Sequence, residues 1–339
     1  MHRSRSRSLP LALAALSSLA MLSLTACGSS DDDSTGDEKV NVALLIPNQN
    51  DYANSFVAGA EAAAAKDGSA EVRTFVANFN PQTQLTQCQD AIQSQRYQAM
   101  VIEPVDGVAM ANCAKEAIAA GIKVVAINAP VGADTTTAEP QVDGLTAALL
   151  APPTVVGQHA AEVVVEACAD LDPCKVGYLY GTKGFSYDTA RRAATDEVFA
   201  EHANIQIVAE AESKFDRATT INAVTDMMRA QPDLDVLLSV QDPVPVIAGL
   251  ESAGALGNVK LFATGASDAA VQTVVDGQTA GMSILMPRTE AERGTEIAIA
   301  AVRGTEPTQR SYNTYDDLSP IGSTLTSENA SEFPSQFKG

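Results

Sequence analysis

The stretch AMVIEPVDGVAMANCAKEAIAAGIKVVAIN, residues 99–128, decides the fold. Its two ends, 99–103 and 122–128, are short and almost continuously apolar. A strand with one wet face alternates apolar and polar residues; a strand covered on both faces, as in a parallel sheet, does not. Between the two ends, residues 108–120 carry helical periodicity. The unit therefore reads as strand, helix, strand with the strands parallel.

Working outward, the same alternation fills residues 38–304. β-rich runs at 39–46, 72–77, 99–103, 122–128 and about 146–151 form one series, and runs at 175–180, 205–211, 235–240, 259–264 and 280–286 form a second. Helical segments lie between them at 54–66, 84–96, 108–120, 155–169, 188–202, 217–230, 244–254 and 268–276. Asn80-Pro81 and Asp242-Pro243 are good helix starts, pairing a capping side chain with a proline that needs no hydrogen bond in the first turn. Two such series predict an α/β fold of two doubly wound parallel-sheet lobes, and about 300 folded residues are enough for two.

The N-terminus has a different character. Arg3, Arg5 and Arg7 precede an apolar stretch from Leu9 to about Leu24, with no acid before residue 27. The stretch is short and rich in Ala and Ser, whereas a membrane-spanning helix needs roughly 20 apolar residues. Basic start, apolar middle and small residues at the end describe a secretory signal. It ends in Leu24-Thr25-Ala26-Cys27-Gly28, which resembles the bacterial lipobox. That resemblance implies cleavage before Cys27 and a lipid on its thiol; the alternative is an ordinary signal peptide with an incidental Cys. Residues 1–26 are then the signal. Residues 27–37, dominated by Ser, Asp and Gly, are a flexible tether that cannot bury a core.

Loss of residues 1–26 takes the formal charge from −20 to −23, because the segment carries three Arg and no acid. So acidic a chain is a poor partner for nucleic acid. No later segment is long and apolar enough to cross a membrane, so membrane contact is expected through the lipid only. Four cysteines remain in an exported chain, which predicts disulfides. Cys168 and Cys174 close a short loop between one helix and the next strand; Cys88 and Cys113 lie on consecutive helices flanking one strand. Four cysteines allow three pairings, and these two pairs are expected. No His lies at ligand spacing from either pair, so neither a zinc site nor any other metal is expected.

In doubly wound sheets, ligands bind beyond the carboxyl ends of the strands. There the first half places Pro47-Asn48-Gln49-Asn50-Asp51-Tyr52-Ala53-Asn54, Glu103-Pro104-Val105-Asp106-Gly107 and Asn128-Ala129-Pro130. The second half places Gly181-Thr182-Lys183-Gly184-Phe185-Ser186-Tyr187, Ser213-Lys214-Phe215-Asp216-Arg217, Gln241-Asp242 and Thr264-Gly265. These loops offer amides, hydroxyls and a few aromatics, although polar composition is also what any surface loop has.

With these blocks in order, residues 38–325 resemble the periplasmic binding proteins of the ribose-binding type, the solute receptors of ATP-binding-cassette importers. The opening Val-Ala-Leu-Leu-Ile-Pro-Asn-Gln-Asn-Asp-Tyr, Asn80-Pro81 with its Gln-rich helix, and Val101-Ile102-Glu103-Pro104-Val105-Asp106 follow the family pattern. So does Gly121-Ile122-Lys123-Val124-Val125. The most specific block runs from Phe215-Asp216-Arg217 through Gln231-Pro232-Asp233-Leu234-Asp235 to Gln241-Asp242. The resemblance implies a three-crossover hinge near 151–153, 284–286 and 312–316. It divides the chain into an N-terminal lobe of 38–151 plus 285–313 and a C-terminal lobe of 152–284 plus 314–339.

Carried over residue by residue, the resemblance places Asn50, Asp51 and Tyr52 in the first loop, with Tyr52 the only stacking aromatic there. Arg191 reaches into the cleft, Phe215 is an aromatic wall, and Gln241 replaces an Asn. Glu103 offers a carboxylate. Asn128 and Ala129 stand where sugar-binding members have Asp-Arg; Thr264 replaces an Asp and Leu285 a Gln. A surface ion pair of Arg191 with Asp188 or Asp196, and core packing of Phe215, are the plain alternatives. These departures make the pocket less charged than a standard hexose site. A modified sugar, a polyol, a furanosyl signalling molecule and a less polar metabolite all stay open as ligands. The loop 129–145 is long and is read either as a flap on the cleft rim or as a mobile segment.

The expected function is an extracytoplasmic solute-binding lipoprotein, monomeric and without cofactor, that delivers a small polar ligand to an ABC permease. The alternative is a sensor that presents its closed form to a membrane receptor kinase. An enzyme is not expected: there is no Gly-x-Ser-x-Gly elbow, and His159 and His202 sit within helices without partners at a recognisable spacing. Gly181-Thr182-Lys183-Gly184 is too short for a phosphate loop.

Overall fold

The computed structural model describes residues 39–339. The signal, Cys27 and the tether lie outside the described residues. The quoted stretch folds as read: β3 (Ala99–Ile102), α3 (Gly107–Ala119) and β4 (Lys123–Ile127). Every β3 side chain is buried, and β3 pairs with β4 in parallel register, Ala99 beside Lys123. Asp106 caps α3 by accepting the Ala109 N–H at 2.9 Å.

The first lobe adds β1 (Val40–Ile46), α1 (Asp51–Asp67), β2 (Ala70–Val76), α2 (Pro81–Gln93), β5 (Ala147–Leu150), α9 (Pro287–Val302) and β11 (Ser311–Asn313). Its six strands run in the order β11-β5-β4-β3-β1-β2, all parallel. The second lobe holds α4 (Pro153–Ala167), β6 (Cys174–Tyr180), α5 (Ser186–Ala200), β7 (Ile205–Glu212), α6 (Arg217–Ala230), β8 (Val236–Ser239), α7 (Pro243–Ser252), β9 (Lys260–Gly265), α8 (Asp268–Val275), β10 (Gly281–Ile284) and β12 (Thr324–Leu325). Its order is β12-β10-β9-β8-β6-β7, parallel except for the two-residue edge strand β12. The order reverses beside β1 in one sheet and beside β6 in the other, so both switch points open toward the same loops named above.

The chain passes between the sheets after β5, after β10 and after β11. One apolar cluster holds all three passages together: Ala151, Met286 and Tyr315 pack there with Val156, Phe185 and Tyr187. The hinge is thus itself a small core. Asn80 and Asp242 cap α2 and α7 as expected. Disulfides join Cys88 of α2 to Cys113 of α3, and Cys168 at the end of α4 to Cys174 at the start of β6.

The loop 129–145 is packed down on the first lobe. Val131, Ala138, Val142 and Leu145 are buried in the core under α2 and α3. Thr135 reaches the hinge, where its carbonyl accepts the Thr154 N–H at 3.1 Å and its hydroxyl meets that of Thr154 at 2.8 Å. This supplies a partner to the start of α4, which has no side-chain cap. Among the described residues, no helix is long and apolar enough to cross a membrane, and no cluster of His, Cys, Asp and Glu is placed to hold a metal.

Candidate functional site

The loops beyond both sheets enclose a cavity of about 90 Å³, room for several water molecules or a small solute that replaces them. Asn50, Tyr52, Glu103, Asn128, Arg191, Phe215, Gln241 and Thr264 all line it. Asp51 does not: it is exposed in the first turn of α1. Asn50 doubles as the cap of α1, its Oδ1 accepting the Ala53 N–H at 2.8 Å.

The first lobe contributes a chain of hydrogen bonds. Tyr52 donates its hydroxyl to Asn128 Oδ1 at 2.9 Å, and Asn128 Nδ2 donates to Glu103 Oε1 at 2.7 Å. Asn128 follows β4 with φ of 60°, the left-handed region that Asn tolerates better than most residues, and this turns its amide back over the sheet. Gln84, fully buried on α2, fixes the Glu103 loop by donating to the Glu103 carbonyl and accepting the Val105 N–H, both at 2.7 Å. Burial pushes the Glu103 carboxyl up to about 8, the bond from Asn128 offsetting it only in part. At neutral pH Glu103 keeps its proton and presents a neutral O–H as well as an acceptor. Burial likewise holds the Tyr52 hydroxyl protonated.

The second lobe contributes Arg191, buried on α5. Its guanidinium pairs with Asp188 at 2.5 Å, approaches Thr264 Oγ1 at 3.4 Å and lies over the Tyr187 ring. The ion-pair alternative was right about Asp188 but not about the surface: both side chains are at most 3% exposed. Asp196 pairs with Arg192 instead. Burial works against the Arg191 charge, but Asp188 beside it more than compensates and holds the guanidinium cationic. Asp188 also accepts the Thr182 N–H at 2.8 Å. Arg191 Nε is buried without a hydrogen-bond partner.

Gly181 makes room for this arrangement: a Cβ there would lie 2.0 Å from the Phe215 ring and 2.4 Å from Asp188 Oδ2. Gly157 does the same for the helix pair, since a Cβ would lie 2.1 Å from the Arg191 carbonyl. Leu285, where the resemblance expects a Gln, closes one side with an apolar surface.

Among the lining residues that were not sequence candidates are Phe79, Phe185, Tyr187, Asp242 and Phe337. Phe185, Tyr187 and Asp242 stand in loops already quoted, and the signal for them was position alone. Phe79 sits in a polar loop, Asn78-Phe79-Asn80-Pro81, where an exposed aromatic is itself a signal. Phe337 had none. It reaches the cavity because the C-terminal tail pairs with the loop after β9, through Gln336 N–H to Ala266 O and Asp268 N–H to Phe337 O.

Comparison with known proteins agrees with this architecture. The periplasmic binding protein domain model matches residues 42–306. The xylitol-binding protein of Mycolicibacterium smegmatis is 23% identical over 286 residues, covering 84% of this chain and 78% of that protein. Among solved structures, a Bacillus halodurans ABC transporter solute-binding protein with bound myo-inositol superimposes with a TM-score of 0.73 at 18% identity, covering 89% of this chain and all of that one. The Caulobacter myo-inositol binding protein gives 0.72 at 18% identity, covering 86% of this chain and 96% of that one. With two wound lobes, three passages between them and a cavity at the shared end of both sheets, the chain belongs to the periplasmic binding protein family, extracytoplasmic proteins that bind a solute and are not enzymes.

Proposed function

We propose that this protein is the solute-binding lipoprotein of an ABC importer and that its ligand is a neutral polyhydroxylated molecule, a sugar or a sugar alcohol. One observation carries the choice of ligand: the cavity combines aromatic walls with buried hydrogen-bonding groups whose charged members are already engaged within the protein, Asp242 by the Val244 N–H and the Ser267 hydroxyl. Arg191 is neutralised by Asp188, and Glu103 holds its proton. A free anion would enter without a counter-charge, since Arg191 is already paired, at a high desolvation cost. A polyol needs what is present: donors and acceptors in several directions for its hydroxyls and apolar rings for its C–H face. The bound polyols of the relatives support the same class.

Asn50, Tyr52, Glu103, Asn128, Arg191, Phe215, Gln241 and Thr264 are the proposed contacts. The lobes 38–151 with 285–313 and 152–284 with 314–339 close on the ligand, which favours the closed form through its contacts to both. The protein acts as a monomer and hands its ligand to the permease. A lipid on Cys27 keeps it at the membrane, and residues 27–37 give it reach.

The test is a thermal-shift screen of residues 39–339 against xylitol, myo-inositol, aldoses, nucleosides and small acids. A ligand with Kd near 1 μM, present at 100 μM, stabilises by about 2.7 kcal/mol. Stabilisation by acids or nucleosides alone, with every polyol and sugar silent, would overturn the assignment. For the anchor, metabolic labelling with an alkynyl fatty acid should mark the parent and not Cys27→Ser.

A further inference from the structure

The two lobes carry the same unusual turn at matching places. The edge strand β2 is followed by Asn78 and Phe79 with φ of 52° and 55°; the edge strand β7 is followed by Lys214 and Phe215 with φ of 53° and 52°. Each turn is closed by the same backbone bond, Asn80 N–H to Ala77 O and Asp216 N–H to Ser213 O, both at 3.0 Å. Each ends in a helix cap, Asn80 accepting from Thr83 and Asp216 from Thr219. Left-handed backbone is costly for a bulky residue, and Phe is not a residue a turn selects. Retaining Phe twice in that conformation calls for a use of the ring.

The rings meet. Phe79 stacks on Phe215 with centroids 5.6 Å apart and planes 20° from parallel, and meets the edge of Phe185 at 5.4 Å. One ring belongs to the first lobe and two to the second, and all three line the cavity. A stack this close leaves no space for a sugar ring between Phe79 and Phe215. They touch each other and the ligand borders both.

We propose that Phe79 is a ligand-retaining residue of the cleft, which with Phe215 forms an aromatic clasp between the lobes. The contact exists only while the lobes are closed, so it opposes opening and slows escape of whatever the cavity holds. It also supplies from the second loop the aromatic surface of the first lobe that the first loop, with Tyr52 alone, does not.

This inference rests on the proposed ligand site for its effect on retention, but the clasp can be tested without ligand. The chain contains no Trp, so Phe79→Trp creates a single-Trp reporter. Its emission should be blue-shifted in the ligand-free protein and should move to the red when Phe215→Ala is added. Emission of a fully solvated indole, unchanged by Phe215→Ala, would overturn the clasp whatever the ligand is. Retention is read by stopped-flow with xylitol and myo-inositol. Phe79→Ala and Phe215→Ala should each speed dissociation about two- to tenfold, the range expected for one aromatic pair. The double variant should lose less than the sum of the two single losses, because the contact between the rings is counted in both. Strictly additive losses would mean two independent walls and would refute the clasp. If neither polyol binds the parent protein, the assignment of these ligands fails while the fluorescence result still decides the clasp.

Discussion

Glu290→Gln should make this protein more stable at alkaline pH and weaken its dependence on pH. Glu290 lies in the first turn of α9, just after the second passage between the lobes, and its side chain is wholly buried. The Thr314 hydroxyl, at the third passage, donates to Oε1, and Oε2 has no partner. Burial, with Glu103 nearby adding to it, pushes this carboxyl from 4.5 up to about 8. The unfolded chain therefore ionises Glu290 above about 4.5 while the folded protein keeps the proton up to about 8. In that window the folded state binds more protons, so stability falls as pH rises, by about 1.4 kcal/mol per pH unit for each such group. Below the window both states are protonated and the contribution is complete; above it the loss is complete. Gln preserves the shape and the acceptor for Thr314 but cannot ionise. The variant should thus match the parent near pH 4.5 and gain on it steadily, by up to about 5 kcal/mol at pH 8. Urea unfolding followed by circular dichroism at pH 5, 6, 7 and 8 measures this difference directly. A parent-minus-variant difference that is flat with pH, or that grows in the opposite sense, would refute the reasoning.

Glu103→Gln should bind the best ligand of the screen within a few-fold of the parent at pH 6–7, by calorimetry. Above pH 8 the parent should weaken as Glu103 loses its O–H, while the variant should not. Gly181→Ala should displace Phe215 and Asp188 together, cost about 1–3 kcal/mol and weaken binding at least tenfold; normal affinity would mean the ring yields freely. Arg191→Ala strands buried Asp188 and should cost about 3–5 kcal/mol. Adding Asp188→Asn should recover stability but not binding, and recovery of both would remove Arg191 from the site. The Cys88–Cys113 bridge spans 25 residues and the Cys168–Cys174 bridge six. By loop entropy, replacing the first pair by Ser should cost about 3.5 kcal/mol and the second about 2, which chemical denaturation can rank.

The strands of the quoted unit were legible because parallel strands buried on both faces must be apolar, as β3 is throughout and β4 is after Lys123. Starts such as Asn80-Pro81 were legible because a cap is a local bond. The strands β11 and β12 were not: three and two residues long, they carry no pattern of their own and exist because the hinge lays them against finished sheets. Helix α9 lies within the alternating stretch 38–304 but is not among the segments read as helical, although its burial against the first sheet is extensive. The 129–145 loop looked like a flap because its length has no local explanation; the explanation is four apolar side chains set into the first core.

The candidate site divides along the same line. Sequence position at the carboxyl ends of strands determined Asn50, Tyr52, Glu103, Asn128, Phe215, Gln241 and Thr264 as lining residues, since a wound sheet leaves those loops nowhere else to go. Only the tertiary structure decided what state they are in. Whether Glu103 carries a charge depends on how completely the fold excludes water from it. Arg191 could be assigned a buried partner only once α4 and α5 had packed against each other at Gly157. Phe79 and Phe215, 136 positions apart in the chain, are neighbours only because two separately wound lobes bring their turns together. Periodicity records what each segment buries, because that is a local property of the chain. Contacts between the lobes depend on how two finished sheets are placed against each other, and no single segment encodes that distance.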